Sequence, residues 1–351
     1  MDTIVAKVNP YNPEPEIIEK AADILKNGGL VAFPTETVYG LGGNGLDEVA
    51  CKKIYEAKGR PSDNPLILHI SEISEIYRIV KEITPKAKAC MDAFWPGPLT
   101  MIFSKAEIVP DSVTGSFKTV AVRFPSNPVA RLLIKASELP IAGPSANSSG
   151  RPSPTKASHV FHDLSGKIDM ILDGGECPVG LESTILDVSD REETMLLRPG
   201  AVTKEMIESI IGSIGIDPAV WHMVDGSFAP KAPGMKYKHY SPEAEVILVS
   251  GRLLDVVREI NSFVCKDEEN GISTGVMASE ETKGLYSCKT VLPVGNRSDI
   301  STVAANLFDT LRRFDELGIK RVYSEVFDES GCGMAVMNRL NKAAGYKCIK
   351  V

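Results

Sequence analysis

The 351-residue sequence lacks the features that mark membrane and secreted proteins. No apolar run approaches the ~20 residues that a transmembrane helix requires. The first residues carry no basic segment followed by an apolar stretch, so we expect no secretory signal. The seven cysteines are scattered and form no C-x-x-C pair, which predicts reduced, mostly buried thiols. Together these absences predict a cytoplasmic protein.

Metal-site and nucleotide-loop motifs are missing as well. The five histidines include no H-E-x-x-H motif, and His159 and His162 have no cysteine or clustered carboxylate to complete a zinc set. We therefore predict no resident metal site. No Gly-Lys-Ser/Thr occurs either, so a Walker A loop is excluded.

The charge balance is acidic, with a net charge of −7, so the whole molecule has no general attraction for a phosphate backbone. Any nucleic-acid contact would require a local basic patch. The 43% hydrophobic content is sufficient for a sizeable core, and the length predicts two domains.

The order of predicted elements indicates an α/β protein with two domains. Residues 1–224 mix short apolar strands with amphipathic helices around one sheet. Residues 225–243 are rich in proline, glycine and lysine and lack periodicity, which predicts an interdomain linker. In residues 244–351 strands alternate with helices, which predicts a smaller domain with a parallel sheet.

A polar segment, Pro34–Gly40, directly follows the apolar strand predicted at Leu30–Phe33. Open α/β sheets place ligands beyond the carboxyl ends of their strands, so its hydroxyl, carboxylate and phenol groups are candidate ligands, although a plain polar turn is an alternative.

The next residues, Gly40–Gly45, formally match G-x-G-x-x-G. Six residues separate Phe33 from Gly40, and this spacing argues against a dinucleotide site.

Lys58 and Arg60 lie at the predicted end of a helix, just before an apolar strand that carries His69. Two cations at this position could complement the helix dipole or bind a polyphosphate, and both interpretations stay open. Arg123 lies in another apolar strand and needs an anion, which could be a substrate carboxylate or a structural acid. The loop Pro144–Gly150 offers hydroxyl, amide and backbone N–H groups that suit phosphate or carboxylate.

The order of these motifs closely resembles the YrdC-like family of threonylcarbamoyl-AMP synthases. The motifs are KGRPSDNPL, a strand carrying histidine, AVRFP, GPSANSSG, LESTILD and LLRPGA. The pairs Lys58/Arg60 and Ser145/Asn147 match that family's hallmark. The segment APGMKYKHYSP, followed by an α/β domain, resembles its two-domain branch. The resemblance implies a YrdC-like twisted mixed sheet with a large cationic cavity, followed by a smaller Rossmann-like parallel α/β domain.

The resemblance also implies an activity: synthesis of threonylcarbamoyl-adenylate and pyrophosphate from L-threonine, bicarbonate and ATP, the last with Mg2+. Such an enzyme is a nucleotidyltransferase. Downstream tRNA threonylcarbamoyl-transfer enzymes would then modify adenosine 37 of ANN-decoding tRNAs, and direct tRNA binding by this chain is expected to be weak or absent.

By similarity, three sets of residues form the site. The catalytic set is Lys58, Arg60, Ser145 and Asn147. The threonine set is Thr35 or Thr37, His69, Arg123, Ser145 and Ser183. The ATP set is Lys58, Arg60, Asn64, Thr119, Ser145, Asn147, Ser153, Arg198 and Tyr237.

Two alternatives differ from this interpretation. A noncatalytic RNA-binding module could use a cationic groove, although the acidic chain has no aromatic residues interleaved among its basic ones. A carbamoyl transferase using carbamoyl phosphate is the other, but the acylphosphatase-like and zinc-finger segments of such enzymes are missing. Within the linker, Lys231–Tyr240 is basic, and we predict that it closes over the site as a lid.

Overall fold

The computed structural model describes residues 2–222 and 240–351. The chain divides into two compact units, one built from residues 2–149 and 153–222 and the other from residues 150–152 and 240–351. Most of the predicted linker, including Tyr237 and all but the last residue of the predicted lid, lies outside the described residues. In the described part of the chain no helix has both the length and the apolarity to cross a membrane.

An eleven-stranded mixed sheet forms the first unit. Its strands are β1 (Ile4–Lys7), β2 (Val31–Phe33), β3 (Gly40–Asn44), β4 (Ile67–His69), β5 (Leu99–Ser104), β6 (Thr119–Arg123), β7 (Ile141–Ala142), β8 (Met170–Asp173), β9 (Thr184–Asp187), β10 (Met195–Arg198) and β11 (Gly215–Ile216). Their order across the sheet is β1-β8-β2-β3-β7-β4-β6-β5-β9-β10-β11. Parallel and antiparallel neighbours alternate irregularly, so the predicted mixed sheet is confirmed.

Helices connect many of these strands. They are α1 (Pro15–Lys26), α2 (Glu48–Lys58), α3 (Ile76–Ile79), α4 (Pro85–Phe94), α5 (Asp111–Thr114), α6 (Pro128–Ser137), α7 (Ala157–Leu164) and α8 (Lys204–Ile211). In α1 the apolar residues recur at helical spacing, and Ile18, Ala21 and Leu25 are buried. They share one core cluster with Phe33 and residues of α6, so this side of the sheet is covered.

Helix α2 is positioned by a cap at each end. The Asp47 side chain accepts a hydrogen bond from the Val49 backbone N–H at 2.8 Å, and Gly59 ends the helix with a left-handed φ of 61°. Aspartate before the first turn and glycine after the last are residue types that commonly cap helices. The helix therefore ends at a defined point, with Lys58 in its last turn and Arg60 just beyond it.

The glycine-rich segment Gly40–Asn44 is a strand, which the sequence analysis did not predict. It pairs antiparallel with β2 and β7, where glycine would ordinarily weaken a strand. The packing explains the composition: a Cβ on Gly42 would lie 2.8 Å from the Phe33 ring and 2.8 Å from the Ile141 side chain. Close approach of the neighbouring side chains thus requires glycine at position 42 and accounts for it without a dinucleotide site.

The second unit has a five-stranded sheet in which every pair of neighbours is parallel. Its strands are β12 (Glu245–Ser250), β13 (Thr274–Ser279), β14 (Thr290–Gly295), β15 (Arg321–Glu325) and β16 (Cys348–Lys350), and its helices are α9 (Leu253–Glu269), α10 (Ile300–Glu316) and α11 (Gly333–Ala343). The order is β14-β13-β15-β12-β16. The predicted parallel α/β architecture is confirmed. Strand β14 escaped prediction because Pro293 interrupts its pattern, and its edge position tolerates a proline.

All seven cysteines are free. Cys51, Cys90 and Cys177 are buried, whereas Cys265 and Cys348 are exposed. The prediction of mostly buried thiols was therefore only partly right.

Candidate active site

Three polar side chains form a row across the middle of the first sheet. His69 on β4 is in register with Arg123 on β6, and Arg123 is in register with Thr100 on β5. Residues in register on adjacent strands point to the same face of a sheet. All three are buried, so the face presents a cation, an imidazole and a hydroxyl within a largely apolar sheet.

The segment after β2 lies against this row and separates the roles of its two threonines. The Thr35 hydroxyl donates to the Val38 carbonyl at 2.6 Å and accepts from the backbone N–H groups of Thr37 and Val38. Thr35 therefore stabilises the turn itself. The Thr37 hydroxyl accepts from Nη1 of Arg123 at 2.8 Å. Of the two alternatives left open by similarity, this geometry favours Thr37 as the substrate contact.

Glu36, between the two threonines, is paired with Arg123. Its Oε1 atom lies 2.7 Å from Nη2 of Arg123. The two groups are not aligned for a hydrogen bond, and among the described residues Oε1, Nη2 and the Arg123 Nε atom have no hydrogen-bond partner. The ion pair thus neutralises both charges while leaving hydrogen-bonding capacity for a ligand.

His69 is held as a neutral ring. Burial and, to a smaller extent, the Arg123 charge lower the pKa of His69 to about 3. Its ring packs edge-on against Phe33 at a centroid distance of 6.1 Å, and within the described chain its Nδ1 atom has no hydrogen-bond partner. A neutral imidazole with an available nitrogen can accept or donate one hydrogen bond to a substrate.

Lys58 reaches the loop that carries Ser145 and Asn147. Its buried ammonium donates to the backbone carbonyls of both residues and lies 3.4 Å from the Asn147 side-chain oxygen. Ser145 in turn donates to that oxygen at 2.6 Å. The structure therefore brings together all three members of this predicted group, although 87 residues separate Lys58 from Ser145.

Arg60 fixes the segment that leads into β4. Its Nε atom donates to the Asn64 carbonyl at 3.3 Å, and its Nη2 atom donates to the Pro65 carbonyl at 3.1 Å. The Asn64 side-chain oxygen is buried without a hydrogen-bond partner in the described residues. Thr119 begins β6 on the face that also carries Arg123, because alternate residues of a strand share a face.

Residues predicted to bind ATP and threonine lie at opposite ends of β6. Thr119 begins this strand and Arg123 ends it, in register with His69 at the end of β4. A strand rises about 3.3 Å per residue, so Thr119 and Arg123 are separated by ~13 Å along β6.

Arg198 lies with the threonine residues, although similarity assigned it to ATP. It donates to the Ser183 carbonyl at 3.0 Å and to the Ser183 hydroxyl at 3.1 Å. Ser183 also shares a hydrogen bond of 2.7 Å with Thr100. Glu182, which directly precedes Ser183, accepts a hydrogen bond from Ser153, another residue predicted to bind ATP.

Sequence reasoning assigned no role to Thr100 or Glu182, and it counted the Glu36 carboxylate only among the candidate ligands of the segment after β2. Glu36 was visible in the candidate segment, and a carboxylate between two threonines was the available signal. No local pattern marked Thr100, since it enters the row only through pairing of β5 with β6. Glu182 adjoins Ser183 but contacts Ser153 across 29 residues of sequence.

The arrangement suits anion binding and alignment more than covalent catalysis. Four buried cationic side chains belong to the site: Lys58, Arg60, Arg123 and Arg198. The nearby Cys177 thiol is neutral, because burial raises its pKa to about 12. Buried cations can hold two anionic reactants together and stabilise charge that develops as they react.

Family models match both units of the chain. The model described as "Telomere recombination" (Sua5_yciO_yrdC) matches residues 23–200, and the model described as "Threonylcarbamoyl-AMP synthase, C-terminal domain" matches residues 202–345. The second match covers most of the smaller unit, which supports assignment of the chain to the two-domain branch rather than the one-domain branch.

Relatives that match over nearly their whole length are named threonylcarbamoyl-AMP synthases. The threonylcarbamoyl-AMP synthase of Pyrococcus abyssi is 50% identical over 95% of this chain and 96% of its own length. That of Bacillus subtilis is 47% identical over 96% and 95%, respectively. These relatives confirm the predicted family and enzyme class.

Solved structures agree with the sequence matches. The Pyrococcus abyssi Sua5 protein complexed with L-threonine is 48% identical and has a TM-score of 0.93, covering 99% of this chain and 100% of that one. Escherichia coli YciO, at 26% identity and a TM-score of 0.52, covers 56% of this chain and 96% of its own. The chain therefore belongs to the two-domain branch of the threonylcarbamoyl-AMP synthase family.

Proposed function

We propose that this chain is an L-threonylcarbamoyladenylate synthase that forms its product and pyrophosphate from L-threonine, bicarbonate and MgATP. One observation carries the proposal: the buried Arg123 is in register with His69 on β4, and β4 pairs with β7, the strand that leads into the loop held by Lys58, Ser145 and Asn147. The Arg123 guanidinium suits an amino-acid carboxylate, and the loop with Lys58 suits phosphate oxygens.

The reaction requires alignment of two anions. The threonine nitrogen reacts with bicarbonate to give a carbamate and water, a carbamate oxygen attacks the α-phosphorus of ATP, and pyrophosphate leaves. Lys58, Arg60 and Arg198 would offset the charge that both partners bring to the site. No nucleophilic side chain is needed, since positioning and electrostatic stabilisation supply most of the catalysis in phosphoryl-group chemistry.

Mg2+ would enter as part of the nucleotide substrate, bound to its phosphates. In the described residues no three His, Cys, Asp or Glu side chains are grouped as a metal site. The product would pass, in the cytoplasm, to downstream enzymes that place the threonylcarbamoyl group on adenosine 37 of ANN-decoding tRNAs.

Pyrophosphate release tests the proposal directly. With ATP present, release should require threonine and bicarbonate together, and each of the other amino acids serves as a comparison. A methyl contact discriminates by only about 1–3 kcal/mol, so slow release with serine is expected. Equal release with serine, or full release without bicarbonate, contradicts the assignment.

The two alternative functions have separate tests. An RNA-binding module would retard tRNA in an electrophoretic mobility assay, whereas the net charge of −7 predicts weak or absent retardation. A carbamoyl transferase would use carbamoyl phosphate in place of bicarbonate. Supplying each donor in turn therefore distinguishes it from a threonylcarbamoyl-adenylate synthase.

A further inference from the structure

Glu36 has the burial and the contacts of a substrate-binding group, and similarity assigns it no role. Only 8% of the residue is exposed. Its Oε2 atom accepts from the Ser126 backbone N–H at 3.3 Å, while Oε1 lies 2.7 Å from Nη2 of Arg123 without a hydrogen bond in the described part of the chain. The ion pair offsets the burial of the charge, and the oxygen keeps hydrogen-bonding capacity that a ligand can use.

The Glu36–Arg123 pair has the charge pattern of an amino-acid binding site. Arg123 can accept a substrate carboxylate through guanidinium atoms that have no hydrogen-bond partner among the described residues. A zwitterion that places its carboxylate on Arg123 brings its ammonium group close to Glu36. Because the ion pair and the zwitterion are each neutral overall, binding buries no uncompensated charge.

We propose, on the basis of the function proposed above, that Glu36 binds the ammonium group of the amino-acid substrate and accepts a proton from it during carbamoylation. In that step the nitrogen forms a bond to the bicarbonate carbon, and the C–OH bond of bicarbonate breaks. Two protons leave the ammonium nitrogen. One joins the departing hydroxide to give water, and the other passes to the Glu36 carboxylate, so atoms and charge balance.

Proton transfer to Glu36 also resolves an electrostatic conflict. Carbamoylation turns the positive end of the substrate into an anion, which an ionised Glu36 would repel. Protonated Glu36 is neutral and can donate a hydrogen bond to the carbamate instead. In the described part of the chain, the Arg123 guanidinium and the Cys177 thiol face Glu36, and burial raises the pKa of that thiol to about 12, so it is neutral.

Binding of a matched analogue tests the contact without any mutation. The 2,3-dihydroxybutanoate with the stereochemistry of L-threonine keeps the carboxylate and the side chain but replaces the ammonium with a hydroxyl. Calorimetry without ATP should show that the wild-type protein binds threonine about tenfold or more tightly than this hydroxy acid. Equal affinities would mean that the ammonium has no charged partner, and would overturn the proposal.

Two variants locate the effect. Glu36→Gln should weaken threonine binding and abolish most of the preference for threonine over the hydroxy acid. Arg123→Gln should weaken both ligands and preserve the preference. Glu82→Gln removes an exposed carboxylate of the same unit and serves as the control, with wild-type binding expected. A Glu36→Gln variant that retains the wild-type preference contradicts the proposal.

Turnover separates this proposal from the proposed function. In Glu36→Gln, pyrophosphate release should be slower near neutral pH and should rise more steeply than the wild-type rate between about pH 7 and pH 9, as solvent deprotonates the amine. Absence of threonine-dependent release in the wild-type protein would instead reject the function. Wild-type release together with an unaltered rate in Glu36→Gln would reject only the role of Glu36.

Discussion

At the residue scale, burial distinguishes between the two interpretations of Lys58. Lys58 and Arg60 were open to two interpretations, as dipole partners at a helix end or as phosphate ligands. The structure shows that the Lys58 ammonium is buried and bonded to carbonyls of the Ser145–Asn147 loop, which a solvated dipole partner would not be. Lys58 therefore fixes the loop, and it stays predicted to bind ATP.

Substitution of Lys58 should consequently affect stability as well as activity. Lys58→Met leaves the carbonyl oxygens of Ser145 and Asn147 without their buried donor, and we expect the free energy of unfolding to fall by about 1–3 kcal/mol. Pyrophosphate release should fall strongly. The exposed Lys52 on the same helix offers a control, since Lys52→Met should change the free energy of unfolding by no more than about 0.5 kcal/mol. Denaturant titration measures the free energy of unfolding of both variants. Equal stability of Lys58→Met and Lys52→Met would contradict this account.

His69 should give the protein a measurable dependence of stability on pH. The pKa of this residue is about 3 in the folded protein, against an ordinary value of 6.5, so the unfolded chain takes up the proton first as the pH falls. Stability is fully present above pH 6.5 and declines toward pH 3, by at most ~1.4 kcal/mol per pH unit.

His69→Gln, which cannot titrate, should flatten that decline. Denaturant midpoints measured at several pH values would show the difference between the variant and the wild-type protein. Identical slopes in the two proteins would mean that His69 titrates normally in the folded state.

At the scale of elements, the two ends of helix α2 serve different purposes. The Asp47 cap stabilises the first turn, whereas Gly59 turns the chain so that Lys58 and Arg60 follow separate paths into the site. The space around a Cβ on Gly59 is open, since apart from its chain neighbours no described residue has an atom within 4 Å of it. A substitution there is therefore opposed only by the left-handed φ of 61°.

Matched substitutions at these ends should separate stability from function. Asp47→Ala should cost about 0.5–2 kcal/mol through loss of the cap, and Gly59→Ala about 1–2 kcal/mol through backbone strain. Only Gly59→Ala should also raise the KM for ATP, because it lies between the two cations. Thermal denaturation and pyrophosphate release measure the two effects. A comparable rise in KM for Asp47→Ala would show that any loosening of the helix impairs the site.

At the scale of the whole molecule, each unit has its own sheet and its own core. All the described residues that we propose to bind substrates lie in the first unit. Both tryptophans, Trp95 and Trp221, belong to that unit, so tryptophan fluorescence reports on it alone.

Threonine should therefore stabilise the first unit by mass action. At about 100 times its Kd, threonine should raise the unfolding free energy of this unit by about 2.7 kcal/mol. The fluorescence transition should move to higher temperature, and Arg123→Gln should lose most of the shift. An unchanged transition at saturating threonine, with calorimetric binding intact, would indicate that the ligand binds elsewhere in the chain.

The sequence by itself determined the features that depend on neighbours along the chain. The sequence predicted that a helix ends at Lys58 and Arg60, and the alternation of strands with helices predicted the parallel sheet of the second unit. The order of motifs was enough to predict the family, since such an order is rarely shared by unrelated chains. Local propensity failed at β3 and β14, where packing of Gly42 and the edge position of Pro293 overrode it.

Only the tertiary structure decided which side chains meet. Thr35 and Thr37 are equivalent in the sequence, yet one stabilises the turn and the other contacts Arg123, because β6 brings that guanidinium to Thr37 across 86 residues. The pairing of Glu36 with Arg123 and the place of Thr100 in the row likewise depend on strand register. Register follows from burial of whole strand faces, a property of the assembled sheet that no single segment carries.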